Sequence, residues 1–401
     1  LHTQVKNGII TTQIDEKELG TCPITTANNP ALTNVFKNEK SPTKDITKKP
    51  RTLYAAGAFN LDSKKLPKAL TLRAGPGWTP TIVPPVKEVQ VTVVQPGLET
   101  LRKAINNAVS GSTLMLETGE YFLEKKIKVT KDITIIGDIG GATIIAANKN
   151  IAKPIDYLFR VEEDVTFKLS HVFIDGKNSN LKYAIVSPDK LQGAGYNLFV
   201  DTVVFQNFKN KKGGSVFKAY NGTKADTLSF VNSRFENNYR GLNLSYDNKN
   251  SGMFNANFII VKNSVFKNIE ESAINYVRKI PNNMISGGDL LVENCVFYNV
   301  DNREKGKIIK ADGIHRVKIV NSVFDNSYKI KTPIALKGMS QQISNCLINN
   351  SGFVKISQGA RKSDLLYKSP KWEDKTLFIP SKKSVLLKSN NKIATIGLLQ
   401  K

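Results

Sequence analysis

Val320-Asn-Ser-Val-Phe324-Asp-Asn326 is one copy of a motif that returns through the second half of the chain. The others read Asp201-Thr-Val-Val-Phe205-Gln-Asn207, Val231-Asn-Ser-Arg-Phe235-Glu-Asn237, Lys262-Asn-Ser-Val-Phe266-Lys-Asn268, Glu293-Asn-Cys-Val-Phe297-Tyr-Asn299 and Ser344-Asn-Cys-Leu-Ile348-Asn-Asn350. Ser170-His-Val-Phe173-Ile-Asp175 is a looser seventh copy with Phe173 as its anchor. The anchors step by 32, 30, 31, 31, 27 and 24 residues. A period in that range marks a solenoid, whose units bury their apolar faces only by stacking.

The runs between the motifs decide what kind of solenoid this is. Leu228-Ser-Phe-Val231, Phe258-Ile-Ile-Val261, Leu290-Leu-Val292 and Val317-Lys-Ile-Val320 are short, rich in β-branched and aromatic residues, and strand-like. No sustained 3.6 period occurs between 150 and 360, which disfavours helical repeats. The Asn after each Phe suits a tight turn, because Asn tolerates the left-handed region; stacking would bring these amides into a ladder. The expected fold is an all-β, right-handed, single-stranded parallel β-helix.

Upstream, Leu101, Ala104, Ile105 and Ala108 form an apolar stripe over about 12 residues, a short capping α-helix before the first coil. Thr113-Leu-Met-Leu116, Gly119-Glu-Tyr121, Ile127-Lys-Val129 and Ile133-Thr-Ile-Ile-Gly137 read as the first coils. At roughly 27 residues per coil, about nine coils fit between Thr113 and Ile356. Residues 1–80 stand outside the repeat and read as the end of a preceding β-helix domain plus a joint. Residues 81–90 are a Pro-rich linker, and 91–401 form the β-helix with a C-terminal tail. The chain begins at Leu1 with no signal-like segment and reads as a processed protein or, the favoured alternative, a fragment.

A formal charge of +24 implies a polyanionic partner. The lysines are scattered, so most belong to a solvated surface, and no nucleic-acid motif accompanies them. No run of 18 apolar residues provides a membrane span. Cys295 and Cys346 share the motif slot held elsewhere by Ser233, Ser264 and Ser322. At ~4.8 Å per coil they lie ~10 Å apart, beyond the ~7 Å limit for a disulfide, so neither a disulfide nor a metal site is expected there. His171 and His315 lack metal-ligand spacing. Asp247-Asn-Lys-Asn-Ser-Gly252 lacks the terminal acid of a calcium loop, with Phe258 in its place, and reads as a turn.

Three further stretches, Phe217-Lys-Ala-Tyr220 with Gly222-Thr-Lys-Ala-Asp226, Gly252-Met-Phe-Asn-Ala256 and Ile274-Asn-Tyr276-Val-Arg278, resemble the C-terminal β-helix of two-domain members of polysaccharide lyase family six, the alginate lyases and chondroitinase B-like enzymes. Asp45 to Trp78 resembles the joint after that family's N-terminal β-helix, and the resemblance covers roughly 45–380. The chain departs from the family after Tyr276, where Val277-Arg278-Lys279-Ile280-Pro281 replaces an Arg-Gly-Gly run. The family's catalytic lysine and arginine and its calcium-binding Asn and Glu belong to the N-terminal domain, and no segment here matches them. The resemblance implies the C-terminal portion of a secreted or periplasmic poly(β-D-mannuronate) lyase. Its partners would be an anionic uronic-acid polysaccharide and its own N-terminal catalytic domain, with no cofactor in this chain and calcium expected in that other domain. On this reading the chain alone is inactive. The alternative is a non-catalytic uronan-binding or domain-packing module.

Such lyases cut a 4-linked uronan by β-elimination. The carboxylate must be neutralised, a base removes the C5 proton, and an acid protonates the departing O4. A lysine serves as base only where burial or neighbouring cations lower its pKa. Candidate cations are Lys218, Arg240, Arg278, Lys310, His315 and Arg316. Catalytic residues are not assigned. Lys218, Tyr220, Arg240, Tyr276 and Arg278 are the expected sugar-lining set, because Tyr offers a stacking surface and Arg a carboxylate clamp.

Overall fold

The computed structural model describes residues 2–6, 9–13, 90–150, 153–177, 181–189, 194–247, 255–278, 287–301, 307–329, 332–356 and 361–387. The readings of Asp45–Trp78, the linker up to residue 89, Cys22 and the loop after Arg278 lie outside these residues, as does most of Asp247–Gly252. The chain divides into two compact units, Leu1–Glu88 and Val89–Lys401. In the first, strands His2–Lys6 and Ile9–Gln13 pair antiparallel.

The second unit is a parallel β-helix. Strands recur in the order first sheet, second sheet, third sheet, and each pairs in parallel with its counterpart one coil away. Among the described residues the third sheet has nine strands: Ile127–Val129, Tyr157–Val161, Tyr183–Val186, Ser215–Lys218, Leu242–Asp247, Ile274–Arg278, the N-terminal parts of Ile309–Val320 and Ile334–Asn349, and Lys355–Ile356. That matches the nine coils expected from the repeat.

Period-2 alternation sends one residue in two to the interior. In the first sheet the inner column runs Leu114, Ile135, Leu169, Val200, Phe230, Val261, Val292, Ile319 and Ile343 in unbroken register. In the second, the motif phenylalanines stack face to face. Ring centroids are 5.3 Å apart for Phe205–Phe235, 4.3 Å for Phe235–Phe266, 5.0 Å for Phe266–Phe297 and 4.8 Å for Phe297–Phe324. All five rings are fully buried.

The seventh copy is corrected by the register: Ile174, not Phe173, sits opposite Phe205. Phe173 is the neighbouring residue on the opposite face and is 36% exposed. An aromatic side chain was mistaken for the anchor because a one-residue slip inverts inside and outside.

Asparagines turn the corners. Asn207, Asn237, Asn268, Asn299, Asn326 and Asn350 all have positive φ, and Asn268 donates to Asn237 as Asn299 donates to Asn268. A second ladder, not anticipated, runs through the Asn before each Ser or Cys. Asn263 donates to Asn232 at 3.1 Å and Asn294 to Asn263 at 3.3 Å, again with positive φ. The following Ser or Cys points inward and donates to the carbonyl two residues back: Ser264 to Lys262 at 2.7 Å, Cys295 to Glu293 at 3.2 Å. Cys295 and Cys346 are buried and free.

The helix spans Thr100–Asn107 and buries Leu101 and Ile105. It is shorter than the expected 12 residues, because Ala108 is already extended at ψ 149°. Nor does it precede the first rung. Val91–Val94 and Gly97–Leu98 pair with the strands that follow the helix, so the chain lays down two sides of a coil before the helix takes the third. Beyond residue 366 the chain folds back over the outside of the second sheet. Trp372, Phe378, Val385 and Leu386 cover Val265, Val296, Val323 and Leu347, and Trp372 Nε1 donates to Asp325 at 2.8 Å.

Candidate functional site

The outer face of the third sheet carries a column of polar and charged side chains. Inner positions of its strands are Phe159, Ile185, Phe217, Leu242, Ile274, Ile309 and Ile334. The next residue in each strand faces outward, so register stacks Lys128, Arg160, Val186, Lys218, Asn243, Asn275 and Lys310 in one column along the helix axis.

Lys218 lies near the middle of that column and is only 4% exposed. Burial first, and then the nearby Arg240 guanidinium, depress its ammonium to about 8. Burial makes the charge costly there, so about a tenth of the lysine is neutral at pH 7 and more than half above about pH 8. Arg240 is fixed by the next coil: Nε donates to Glu271 Oε1 at 2.8 Å and Nη2 to Glu271 Oε2 at 2.7 Å. Its guanidinium also lies 5.1 Å from the Tyr239 ring. This bidentate pairing sets the guanidinium orientation while leaving a positive field on Lys218.

Tyr220 follows two residues after Lys218. Its hydroxyl is pushed up to about 12 by burial and by the surrounding Tyr183, Asp189, Tyr157 and Asp156, so it stays protonated and able to donate. The backbone there is pinned, Tyr220 N donating to Ser187 Oγ at 2.8 Å and Asn255 Nδ2 to Tyr220 O at 2.9 Å.

The structure therefore sets two of the five expected residues, Lys218 and Arg240, beside each other, with Tyr220 two positions along the chain from Lys218. Tyr276 does not join them. Its position is an inner one, the ring is buried, and the hydroxyl donates to Ala256 O. Arg278 shares the inward parity of Tyr276 at the end of the same strand and is buried too. Alternation explains the separation: 274, 276 and 278 face one way, 275 and 277 the other. Of the remaining candidates, Lys310 is on the outer column, exposed. His315 and Arg316 stand against Asp289 at the first sheet, Arg316 Nε donating to Asp289 Oδ1 at 3.0 Å.

Sequence reading missed Arg160. Its signal was present, since Leu158-Phe-Arg160 and Val216-Phe-Lys218 repeat an apolar–Phe–cation triplet two coils apart. Arg160 is buried and bonded to Glu162 at 2.7 Å and to Asp189. Among the described residues no group of three or more His, Cys, Asp or Glu is placed to hold a metal ion. No described helix is long and apolar enough to cross a membrane.

No protein-family model and no curated protein matches the chain. Solved structures do. A structure of the PL6 family alginate lyase AlyGC matches at TM-score 0.57 and 17% identity, over 82% of this chain and 47% of that one. An arginine-to-alanine mutant of the same lyase matches at TM-score 0.49 and 18% identity, over 79% of this chain and 43% of that one. The chain thus spans about half the length of the solved structures it matches. At this identity the likeness is one of fold: this chain is a parallel β-helix of the kind found in a PL6 family alginate lyase.

Proposed function

We propose that this chain is part of a polysaccharide lyase of the poly(β-D-mannuronate) lyase type and binds the uronic-acid polymer on the outer face of its third sheet. The observation that carries this reading is Lys218, buried on an outward-facing column with its pKa near 8, beside the fixed guanidinium of Arg240. A net charge of +24 suits a polyanion. Because such a polymer lies outside the cell, the place of action is extracellular or periplasmic. An N-terminal catalytic domain, as in the resembling family, would be the natural partner in the longer protein.

A second reading, that this face also cleaves, rests on the same lysine. The neutral Lys218 amine would take the C5 proton, the C4–C5 double bond would form as the C4–O4 bond breaks, and O4 would take the proton of the Tyr220 hydroxyl. Tyr220 is protonated as its role requires, and Lys218 gains the neutral form its role requires as pH rises through about 8.

Polymannuronate added to the purified chain tests both, with binding followed by calorimetry and cleavage by absorbance of unsaturated uronate ends. Binding that Lys218→Ala weakens about tenfold supports the first reading. Product lost in Lys218→Ala supports the second as well. Absence of binding to any uronan would overturn both.

A further inference from the structure

Two rungs from Lys218 along the same column, Arg160 heads a group of which the elimination chemistry uses only Tyr220. Arg160 is 8% exposed, with Nε donating to Glu162 Oε1 at 2.7 Å and Nη1 to the Asp189 carboxylate. The Tyr157 ring lies 6.0 Å from the guanidinium and carries Lys126 Nζ at 5.1 Å from its centroid. The Tyr157 hydroxyl is buried without a hydrogen-bond partner among the described residues. A buried phenol left so costs about 1–3 kcal/mol unless something else satisfies it. Tyr220 is an electrostatic neighbour of that hydroxyl, of Tyr183 and of Asp189.

We propose that Arg160, backed by the buried Tyr157 ring and with the half-buried Tyr183 and Tyr220 nearby, forms a second uronate subsite, in which Asp189 occupies the Arg160 guanidinium until a sugar carboxylate displaces it. The proposal rests on the reading of this face as a uronan-binding surface. The chemistry is that of an acidic pyranose: a guanidinium for its carboxylate and the half-buried Tyr183 and Tyr220 for its C–H face and ring hydroxyls. The geometry is that of a chain laid along the axis. Two rungs separate Arg160 from Lys218 by ~10 Å, so sugars placed on successive rungs put one carboxylate at each cation.

Asp189 is the displaceable partner. Its side chain is 63% exposed, whereas Glu162 is mostly covered. An exposed carboxylate gives up ~0–1 kcal/mol on leaving an ion pair for water. The exchange replaces one carboxylate by another, so the buried guanidinium is never left unpaired, the state that would be costly.

Calorimetry with a mannuronate disaccharide and hexasaccharide at low salt tests the subsite. Asp189→Asn removes the internal competitor at an exposed position, and thermal unfolding confirms that the variant folds as wild type. The hexasaccharide should bind about threefold tighter to Asp189→Asn, with the disaccharide, held at Lys218, unchanged. Arg160→Lys, which keeps the charge and loses the fork, should weaken the hexasaccharide about tenfold. Wild-type binding of both sugars with no tightening in Asp189→Asn would overturn the subsite and leave the uronan reading standing. Failure of wild type to bind either sugar would overturn both.

Discussion

The Asn268 side-chain amide donates to Asn237 Oδ1 at 3.0 Å on the preceding coil, and both residues hold φ at 55°. Asn299 repeats the arrangement from the other side, donating to Asn268 Oδ1 at 2.7 Å. One residue type thus meets two demands at each corner: a left-handed backbone and a donor–acceptor pair that links one coil to the next. Asn268, between the other two, is both donor and acceptor and so ties three successive coils together.

Asn268→Ala loses both amide bonds and places a Cβ without compensation in the left-handed region. It should cost about 2–3 kcal/mol, and Asn268→Gly about 1 kcal/mol less, because glycine adopts that φ freely. Chemical denaturation of the two variants separates backbone strain from hydrogen bonding. Equal losses would show that strain contributes nothing.

Phe266 lies between Phe235 and Phe297 in the stack. Phe266→Ala should destabilise by about 3–5 kcal/mol. Phe173→Ala, at the half-exposed position beside the true anchor Ile174, should cost under about 1 kcal/mol. Unfolding midpoints that rank the two the other way would refute the register between these coils.

Lys218 titrates at about 8 in the fold against an ordinary 10.5. Between those values the unfolded chain holds a proton that the folded chain has released, so stability rises with pH across that window, and the penalty is complete below it. Lys218→Met should therefore stabilise the protein at pH 7 by on the order of 1–3 kcal/mol, the gain fading as pH climbs from about 8 to 10.5. A gain independent of pH over that interval would mean that burial of the charge is not its source. Cleavage, if Lys218 is the base, should rise with pH toward a plateau above about 8.

Cys295 is buried in a slot that other coils fill with Ser264 and Ser322, and burial pushes its thiol up to about 12. In a Cys22→Ser background, Ellman's reagent should label neither Cys295 nor Cys346 in the folded protein and both in denaturant. Cys295→Ser should change stability by less than about 1 kcal/mol, since the hydroxyl makes the same bond to the carbonyl two residues back. Rapid labelling of the native protein would place the slot at the surface.

The coil repeat was legible because each turn of a solenoid must solve the same packing problem. Phe, the following Asn and the inward Ser or Cys therefore recur in the chain itself. The seventh copy shows where this ended. Phe173-Ile174 offers two apolar neighbours, and only pairing with Phe205 tells which of them faces inward. The candidate site was half legible for the same reason. Lys218 and Tyr220 lie on one strand and its exit and could be named together. Tyr276 and Arg278 looked equally suitable, yet strand parity turns both inward.

By itself the sequence determined a parallel β-helix, its number of coils and its left-handed corners, since those follow from the spacing of side chains along the chain. Tertiary structure alone decided which charges share a face. Arg160 and Lys218 are 58 residues apart in the chain and two rungs apart in the sheet. The depressed Lys218 ammonium and the orphaned Tyr157 hydroxyl arise only once stacked coils exclude water from them.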